Sequence, residues 1–346
     1  IAISIAIAAG PGDVNNDGEV GLSDLIMIGI DYGKDTGFSP GADLNGDGVI
    51  GLGDMGSGLA LNLIKAGFET WGFDIAVKRM RAFAEFGGSP ASDIAQLGRN
   101  ADAIFVMVMT GTQAKDVIFG HGGLVQSMKK GGLILITATI KPSELTEIAE
   151  GLQDTGLALI DTPVSGGFPG AQSGTLTMMA AAPSDVLKRA EAVMKAVSST
   201  IHHVGDIPGQ GQTVKACLQT VIGSIFAANF EASVLAAKAG ISGQVIYDVF
   251  TTSGAGCGVT KAALENIIDR KFEGTGSHIS TMHKDLTISL DLAQNMTVPL
   301  HMAAQAMQIF HAGKSKYPNG DNWVCTRVIE DIVGVELHRN GARAAK

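Results

Sequence analysis

The stretch Gly51-Leu52-Gly53-Asp54-Met55-Gly56 decides the fold, because its glycines have the G-x-G-x-x-G spacing. The first glycine permits a tight turn, the second lets a pyrophosphate approach the backbone, and the third lets a helix pack closely against its strand. The apolar pair Val49-Ile50 precedes the turn, and a helical pattern follows it. Residues 51–56 are therefore predicted to join a strand to a helix and to hold the phosphates of a dinucleotide at the helix N-terminus.

A single acid further along the chain supports this interpretation. Asp74 ends the next apolar run, about twenty residues beyond the glycines, where a carboxylate can accept the ribose hydroxyls of a dinucleotide. The same carboxylate would repel a 2′-phosphate, so it favours NAD over NADP. Lys78 and Arg79 lie close by and act in the opposite direction. The cofactor predicted from these residues is NAD.

The pattern beyond the glycine stretch alternates short apolar runs with amphipathic segments, which indicates a parallel sheet covered by helices on both faces. Residues 209–335 instead have helical periodicity, with one long helix predicted over 212–239 and Gly240 at its end. The predicted fold class is α/β, with a dinucleotide-binding domain over 43–208, an all-α domain over 209–335, a small segment over 1–42 and a tail over 336–346. The apolar runs that predict strands are 49–50, 70–73, 103–109, 133–137, 157–160 and 176–180.

Composition limits the class of protein. The 346 residues exceed one ordinary compact core, and a content of 45% hydrophobic and 17% charged residues is typical of a globular chain. The net charge of −9 argues against nucleic acid or an anionic membrane as a partner. No stretch is expected to reach the length of a transmembrane helix, since Gln219, Asn229 and Glu231 interrupt the most apolar segment, 216–237. The three cysteines lack metal-ligand spacing and predict reduced thiols.

Residues 1–9 form a short apolar run that ends in small residues. The run fits the tail of a secretory signal, which is the interpretation that we favour, and it fits a single hydrophobic strand equally in composition. A nicotinamide cofactor favours the cytoplasm. The predicted location is therefore cytoplasmic, with secretion as the alternative if the N-terminal segment is functional.

The segment 1–42 carries a pattern of calcium ligands. Asp13, Asn15, Asp17 and Asp24 fall at positions 1, 3, 5 and 12 of a twelve-residue loop whose turn is Gly18. A second copy over 43–54 shares its last residues with the glycine stretch. The two loops resemble those of dockerin modules, which implies calcium and a cohesin-like partner; the alternative is a turn without metal. Because Gly-Leu-x-Asp occurs in both copies, we infer a gene fusion or a misassembled gene joined at that phrase.

Four motifs, in order, resemble those of the β-hydroxyacid dehydrogenase family over roughly residues 49–333. The family's opening motif corresponds to residues 51–56, and its substrate-binding segment to Asp161-Thr162-Pro163-Val164-Ser165-Gly166-Gly167. Its catalytic segment corresponds to Gly209-Gln210-Gly211-Gln212-Thr213-Val214-Lys215, and its late motif to Lys284-Asp285-Leu286. The resemblance implies a Rossmann domain and a helical domain linked by the long helix. It also implies a homodimer or homotetramer formed through the helical domain.

The resemblance also implies a role for each site residue. Lys215 is the catalytic acid/base by this comparison, and Gln219 contacts the substrate. The substrate carboxylate is held by Ser165, Gly166 and Gly167. Further cofactor contacts, beyond residues 51–56 and Asp74, are assigned to Met109, Thr139 and Lys284.

The chemistry of these residue types agrees with the assigned roles. A serine hydroxyl and the backbone N–H groups of a glycine turn can bind a carboxylate through charge-assisted hydrogen bonds. Lys215 is predicted to lie one turn into a helix, where partial burial lowers its pKa toward neutrality, as suits a general base. The neutral amine would take the hydroxyl proton during oxidation, and the ammonium would return it during reduction.

Departures from the family pattern bear on the substrate. Gln219 stands where Asn is usual, and Gln is found there in the threonate-type branch, which oxidises the carbon next to the carboxylate. The substrate predicted first is therefore a four-carbon sugar acid, threonate or erythronate. Ala138 and Gly258-Val259 replace the usual Ser and Ser-Trp and alter the pocket. The alternatives are 3-hydroxyisobutyrate dehydrogenase or tartronate semialdehyde reductase chemistry, one carbon further on, and, from another class, a calcium-dependent dockerin-type module on a vestigial dehydrogenase.

Overall fold

The computed structural model describes residues 4–8, 53–74, 76–100 and 102–344. Their contacts divide the chain into two compact units, Ile1–Lys215 and Ala216–Lys346. The strands of the first unit are β1 (Ser4–Ala8), β2 (Glu69–Phe73), β3 (Ser89–Pro90), β4 (Ala103–Val106), β5 (Leu133–Ile136), β6 (Ala158–Asp161), β7 (Val164–Ser165), β8 (Leu176–Ala181) and β9 (Ser198–Gly205). Its helices are α1 (Asp54–Lys65), α2 (Val77–Glu85), α3 (Ile94–Arg99), α4 (Gly111–Phe119), α5 (Leu124–Ser127), α6 (Pro142–Gly151), α7 (Gly167–Ser173) and α8 (Ser184–Val197).

The strands of the first unit form one sheet in the order β3-β2-β1-β4-β5-β6-β8-β7, with β9 paired to β8. Strands β4, β5 and β6 pair in parallel, as do β2 with β3 and β8 with β9. Every residue of β4 and β5 is buried, as expected for near-continuous apolar strands in a parallel sheet covered on both faces. The predicted α/β fold is confirmed, and each described apolar run from 70–73 onward overlaps a strand.

The position between β2 and β4 is occupied by β1, which runs antiparallel to both. Ser4 lies opposite Phe73 on one side and Val106 on the other. Within the apolar run over 1–9, the described residues 4–8 form a strand, as the hydrophobic-strand alternative predicts, and the favoured signal remnant stays a prediction. The pair 49–50, which was predicted to form the strand before the glycine turn, lies outside the described residues.

The second unit is mainly helical. Helix α9 (Gln210–Lys238) begins in the first unit and continues into the second. Its last residue is Lys238, one before the predicted end at residue 239, and the predicted Gly240 follows it with φ +80°, where Ile241 N–H donates to Ala236 O at 3.0 Å. The predicted domain limits at 208/209 and 335/336 stay predictions beside the contact-based division. The remaining elements are α10 (Gly243–Thr252), α11 (Gly258–Ile268), α12 (Ile279–Asn295), α13 (His301–Lys316), α14 (Val324–Val333), β10 (Val335–His338) and β11 (Gly341–Ala344).

Helix α9 is long and apolar enough, by length and composition, to cross a membrane, so the expectation that no stretch reaches that length was wrong. Half of its apolar window is buried inside the protein. Phe226 and Phe230 contact Phe310 and Trp323 with ring centroids 5.4–6.4 Å apart. Because the core helix of a globular protein can have the same length and apolar composition, α9 is only weak evidence for a membrane span.

In the described part of the predicted tail over 336–346, β10 and β11 form an antiparallel hairpin, which the sequence patterns did not predict. His338 pairs with Gly341 across a turn of two residues, Arg339 and Asn340. Leu337 is fully buried, and its N–H donates to the buried Glu330 carboxylate at 2.9 Å. The hairpin is thus part of the core of the second unit.

Candidate active site

The predicted site residues of the first unit lie at one edge of the sheet. Strands β2, β4, β5 and β6 run in the same direction, because β1 is antiparallel to both β2 and β4. Asp74, Met109 and Thr139 follow the carboxyl ends of β2, β4 and β5 respectively, and the segment 162–167 follows β6. Sheets of this kind bind ligands outside the carboxyl ends of their strands. The fold therefore gathers these residues from distant parts of the sequence at one edge.

The glycine stretch leads into α1, as predicted. Gly53 is buried and is the N-cap residue, and its carbonyl oxygen accepts the Ser57 N–H at 2.9 Å. Met55 is half-buried and Gly56 is buried, whereas Gly51, Leu52 and the side chain of Asp54 lie outside the described residues. The free N–H groups and the dipole of a helix N-terminus attract phosphate. This end of α1 suits the pyrophosphate of a dinucleotide.

A close approach that the sequence analysis missed occurs at Gly58, two residues beyond the motif. A Cβ there would lie 2.5 Å from the backbone carbon of Ala171 in α7, which only glycine avoids. Asn62 stabilises the contact between α1 and α7, because its Nδ2 donates to Ala171 O at 2.8 Å and to Gly58 O at 2.7 Å. Helix α1 is therefore fixed against α7, the helix that begins at Gly167.

Asp74 is a buried acid, only 4% exposed, and its Oδ1 accepts the Ala76 N–H at 2.6 Å. Burial raises the pKa of Asp74 to about 8, against the lowering effects of that hydrogen bond and of Arg79. A carboxyl in this position can hydrogen-bond the paired hydroxyls of a ribose whether or not it is ionised. The helix N-terminus and this acid together fit a dinucleotide.

The segment after β6 contains the predicted carboxylate site. Ser165 is half-buried, and Gly166 and Gly167 are exposed. The backbone has φ +132° at Gly166 and +58° at Gly167, conformations that side chains other than glycine rarely adopt. The glycine turn therefore leaves backbone groups and a serine hydroxyl accessible to a small anion.

Lys215 lies in the second turn of α9 and is 6% exposed, so the expected burial is confirmed. The lowered pKa of its amine stays a prediction. Three residues before it, Gln212 is fully buried and donates from Nε2 to Asp161 Oδ1 at 3.1 Å. Asp161 and Gln212 belong to two of the family motifs, but no role was predicted for either residue from the sequence.

In the second unit, Gln219 and Asp285 are hydrogen-bonded to each other. Gln219, 5% exposed, donates from Nε2 to Asp285 Oδ2 at 2.5 Å, and Lys284 Nζ lies 2.8 Å from Asp285 Oδ1. Leu286 packs at Gly223, where a Cβ would lie 2.8 Å from the leucine. Asp285 belongs to the late motif, but these contacts were not predicted from the sequence. Within the described part of the chain, Gln219 Oε1 is buried without a hydrogen-bond partner, so it is an acceptor that a ligand can use.

The predicted calcium ligands Asp13, Asn15, Asp17 and Asp24 lie outside the described residues, as does the second loop over 43–54 apart from Gly53 and the backbone of Asp54. No group of three or more His, Cys, Asp or Glu side chains is placed to hold a metal within the described ranges. Calcium binding therefore has no support beyond the sequence pattern. The three cysteines are free, as the predicted reduced thiols would be; Cys217 and Cys257 are exposed, and Cys325 is buried.

Comparison with known protein families agrees with the geometry of both units. The family model described as the NAD binding domain of 6-phosphogluconate dehydrogenase matches residues 47–205. The model described as the NAD-binding domain of NADP-dependent 3-hydroxyisobutyrate dehydrogenase matches residues 209–328. Relatives more than 30% identical over more than four fifths of this chain are hydroxy acid dehydrogenases as well. The chain belongs to the β-hydroxyacid dehydrogenase family. As a β-hydroxyacid dehydrogenase it is an oxidoreductase that uses a nicotinamide cofactor and acts on hydroxy acids.

The chain matches individual relatives over almost their whole length. The chain is 34% identical to an L-threonate dehydrogenase of Escherichia coli, over 82% of this chain and 95% of that protein. It is 32% identical to an L-threonate dehydrogenase of Cupriavidus necator, over 84% and 97%. A crystal structure of 3-hydroxyisobutyrate dehydrogenase from Salmonella typhimurium superposes with a TM-score of 0.75 at 30% identity, over 80% of this chain and 97% of that one. The β-hydroxyacid dehydrogenase fold, a Rossmann domain followed by a helical domain, is confirmed.

Proposed function

We propose that this β-hydroxyacid dehydrogenase oxidises a four-carbon sugar acid, threonate or erythronate, with NAD and with Lys215 as the acid/base. The observation that carries the choice of substrate is the buried oxygen Oε1 of Gln219, which has no partner among the described residues. A buried acceptor without a donor costs about 1–3 kcal/mol, so a substrate that supplies a hydroxyl there is favoured over one that presents a methyl group. The similarity to L-threonate dehydrogenases supports the same choice.

The proposed mechanism assigns one task to each group of residues. The nicotinamide cofactor supplies the hydride acceptor. Ser165 and the backbone of Gly166 and Gly167 bind the substrate carboxylate and orient the carbon next to it. Lys215, as the neutral amine, takes the hydroxyl proton during oxidation, and the ammonium returns that proton during reduction. Burial of Lys215 keeps water away from the amine.

The preference for NAD rests on Asp74. Its carboxyl is buried at the end of β2, and the hydroxyls of an unmodified ribose can pair with it. A 2′-phosphate would lie against this acid, and Arg79 is a cation whose charge acts on the Asp74 carboxyl. Met109, Thr139 and Lys284 complete the proposed cofactor contacts.

We also propose a homodimer or homotetramer in the cytoplasm. The helical unit exposes large apolar side chains of the kind that subunit interfaces cover. The most exposed of these are Leu235, Met302 and Ile332. Light scattering across a range of protein concentrations tests the oligomeric state.

The substrate assignment is tested by measuring kcat/KM with threonate, erythronate, 3-hydroxyisobutyrate and glycerate, each with NAD and with NADP. We expect the highest value for a four-carbon acid with NAD. A higher value for 3-hydroxyisobutyrate would overturn the substrate proposal and leave the family assignment intact. Comparable values with NADP would overturn the role given to Asp74.

A variant at Gln219 gives the sharper test of the acceptor. Gln219→Leu is expected to lower kcat/KM for the four-carbon acid by about 10–100-fold, the loss associated with one buried hydrogen bond. The value for 3-hydroxyisobutyrate, which lacks the extra hydroxyl, should change by less than about threefold. Gln294→Leu, at an exposed position of α12, is the matched control. An equal loss with both substrates would mean that Gln219 does not read the hydroxyl.

A further inference from the structure

We propose that Asp161 is a positioning residue of the reaction: its buried carboxylate fixes the first turn of α9, and through Gln212 the turn after β5, and so sets where the amine of Lys215 lies. The inference rests on the proposed role of Lys215. It adds a residue that touches neither substrate nor cofactor in the proposed mechanism. All the residues that carry it lie within the first unit.

The carboxylate of Asp161 accepts three hydrogen bonds from residues at the start of α9. Asp161 is fully buried at the end of β6. Its Oδ2 accepts the N–H groups of Gly209 at 2.9 Å and of Gln212 at 3.2 Å, and its Oδ1 accepts from Gln212 Nε2 at 3.1 Å. Helix α9 has no acidic residue in its own first turn. Asp161 therefore supplies, from another element, the negative charge and the acceptors that a helix N-terminus needs.

The two glycines of the catalytic segment make this contact possible. Gly209 has φ +99°, which turns the chain so that its N–H faces the carboxylate. A Cβ on Gly211 would lie 2.5 Å from Met179 O and 2.9 Å from Asp161 Cγ, both closer than real contacts allow. The close approach of α9 to β6 and β8 thus requires a glycine at position 211, and the positive φ favours one at position 209.

The side chain of Gln212 extends the same contact to a third strand end. Gln212 is fully buried, its Nε2 donates to Ala138 O at 3.0 Å, and its Oε1 accepts the Ile140 N–H at 3.1 Å. These two partners flank Thr139, which is a proposed cofactor contact. One carboxylate therefore ties together the turn that carries Thr139 and the helix turn that precedes Lys215.

The consequence for the reaction follows from distance along the helix. Lys215 lies three residues after Gln212, less than one turn of α9, so a shift of the first turn moves the amine with it. Displacement of a catalytic group by about 1 Å lowers the rate by about 100-fold. Asp161→Asn keeps the size of the side chain but places an NH₂ group against donors that need an acceptor, and it removes the charge.

The test is a double-mutant cycle on the whole chain, with kcat measured for the best hydroxy acid. Asp161→Asn is expected to lower kcat by about 30–100-fold in the wild-type background and by at most about fivefold in the Lys215→Ala background, because it acts through Lys215. The dissociation constant of NADH should stay within about threefold of wild type. Asp185→Asn, an exposed acid in the first turn of α8, is the matched control and should leave kcat unchanged.

Equal losses in the two backgrounds would overturn the proposal and make Asp161 a purely structural residue, and so would an Asp161→Asn enzyme with the wild-type kcat. If Asp161→Asn does not fold, Gln212→Met is used in the same cycle, since it keeps the backbone bonds to Asp161 and cuts the tie to Ala138 and Ile140. Its expected loss of kcat is about 5–20-fold, again only when Lys215 is present. Lys215→Ala with full activity would instead overturn the proposed function itself.

Discussion

Lys215→Ala is expected to lower the kcat of hydroxy acid oxidation by about 10³-fold, while the dissociation constant of NADH stays within about threefold of wild type. The substitution removes the amine that takes the hydroxyl proton, and it leaves α1 and Asp74, the proposed cofactor contacts, in place. Steady-state kinetics give kcat, and a fluorescence titration with NADH gives the dissociation constant. Thermal unfolding of the variant confirms that the chain is folded.

Lys195→Ala is the matched control for this experiment. Lys195 is an exposed lysine near the end of α8 that pairs with Glu191 at 2.5 Å, and its removal should change kcat by less than about twofold. A Lys215→Ala enzyme that keeps more than about a tenth of the wild-type kcat would contradict the acid/base role.

Asp74→Ala is expected to weaken NAD binding by about 10–50-fold, the effect of losing hydrogen bonds between a ribose and an acid. Binding of NADP should not weaken, because the acid that opposes its phosphate is gone. The ratio of the NADP dissociation constant to the NAD dissociation constant should therefore fall by about 10–50-fold. Titrations with both cofactors measure it, and Asp116→Ala, at an exposed position of α4, is the control. An unchanged ratio would remove Asp74 from the cofactor site.

The same variant should change how the stability of the cofactor-free protein depends on pH. The folded chain holds the Asp74 proton up to a pKa of about 8, whereas the ordinary value is 3.8. Between these values the folded state binds more protons than the unfolded state, so the free energy of unfolding falls as pH rises. Asp74→Ala should flatten this decline, which denaturant unfolding at a series of pH values measures. Burial also raises the pKa of Asp161 to about 7. Because Asp161 is still present in the variant, the free energy of unfolding should still fall with pH, but by less.

Sequence patterns predicted the strands that are buried along their whole length and the helix whose end is marked by a glycine. Strands β4 and β5 are buried along their whole length and therefore appear as uninterrupted apolar runs. Helix α9 was predictable because a single glycine, Gly240, both ends its periodicity and permits its left-handed cap. In contrast, most residues of β9 are exposed or half-buried, so the strand carries no apolar run by which to recognise it.

The sequence patterns could not predict which strands that are distant in sequence pair with one another. The apolar run that contains β1 was consistent with a strand, but nothing in it specifies that the strand lies antiparallel between β2 and β4, more than sixty residues away. The buried polar pairs were equally unpredictable from the sequence. Asp161 and Gln212 are separated by 51 residues and Gln219 and Asp285 by 66, and each pair is explained only by contacts that the fold creates. Motif resemblance identified the segments that contain these residues but not what holds them in place.

Transfer of labelled hydrogen tests the central claim most directly. The hydroxy acid with the highest kcat/KM is prepared with deuterium on the carbon that bears the oxidised hydroxyl and is incubated with NAD and the intact chain. Mass spectrometry of the reduced cofactor should find the deuterium on the nicotinamide ring, and turnover with Lys215→Ala should be lower by about 10³-fold under the same conditions. Reduced cofactor without the label, or loss of the hydroxyl with no reduced cofactor, would contradict the assignment of this chain as a hydroxy acid dehydrogenase with Lys215 as its acid/base.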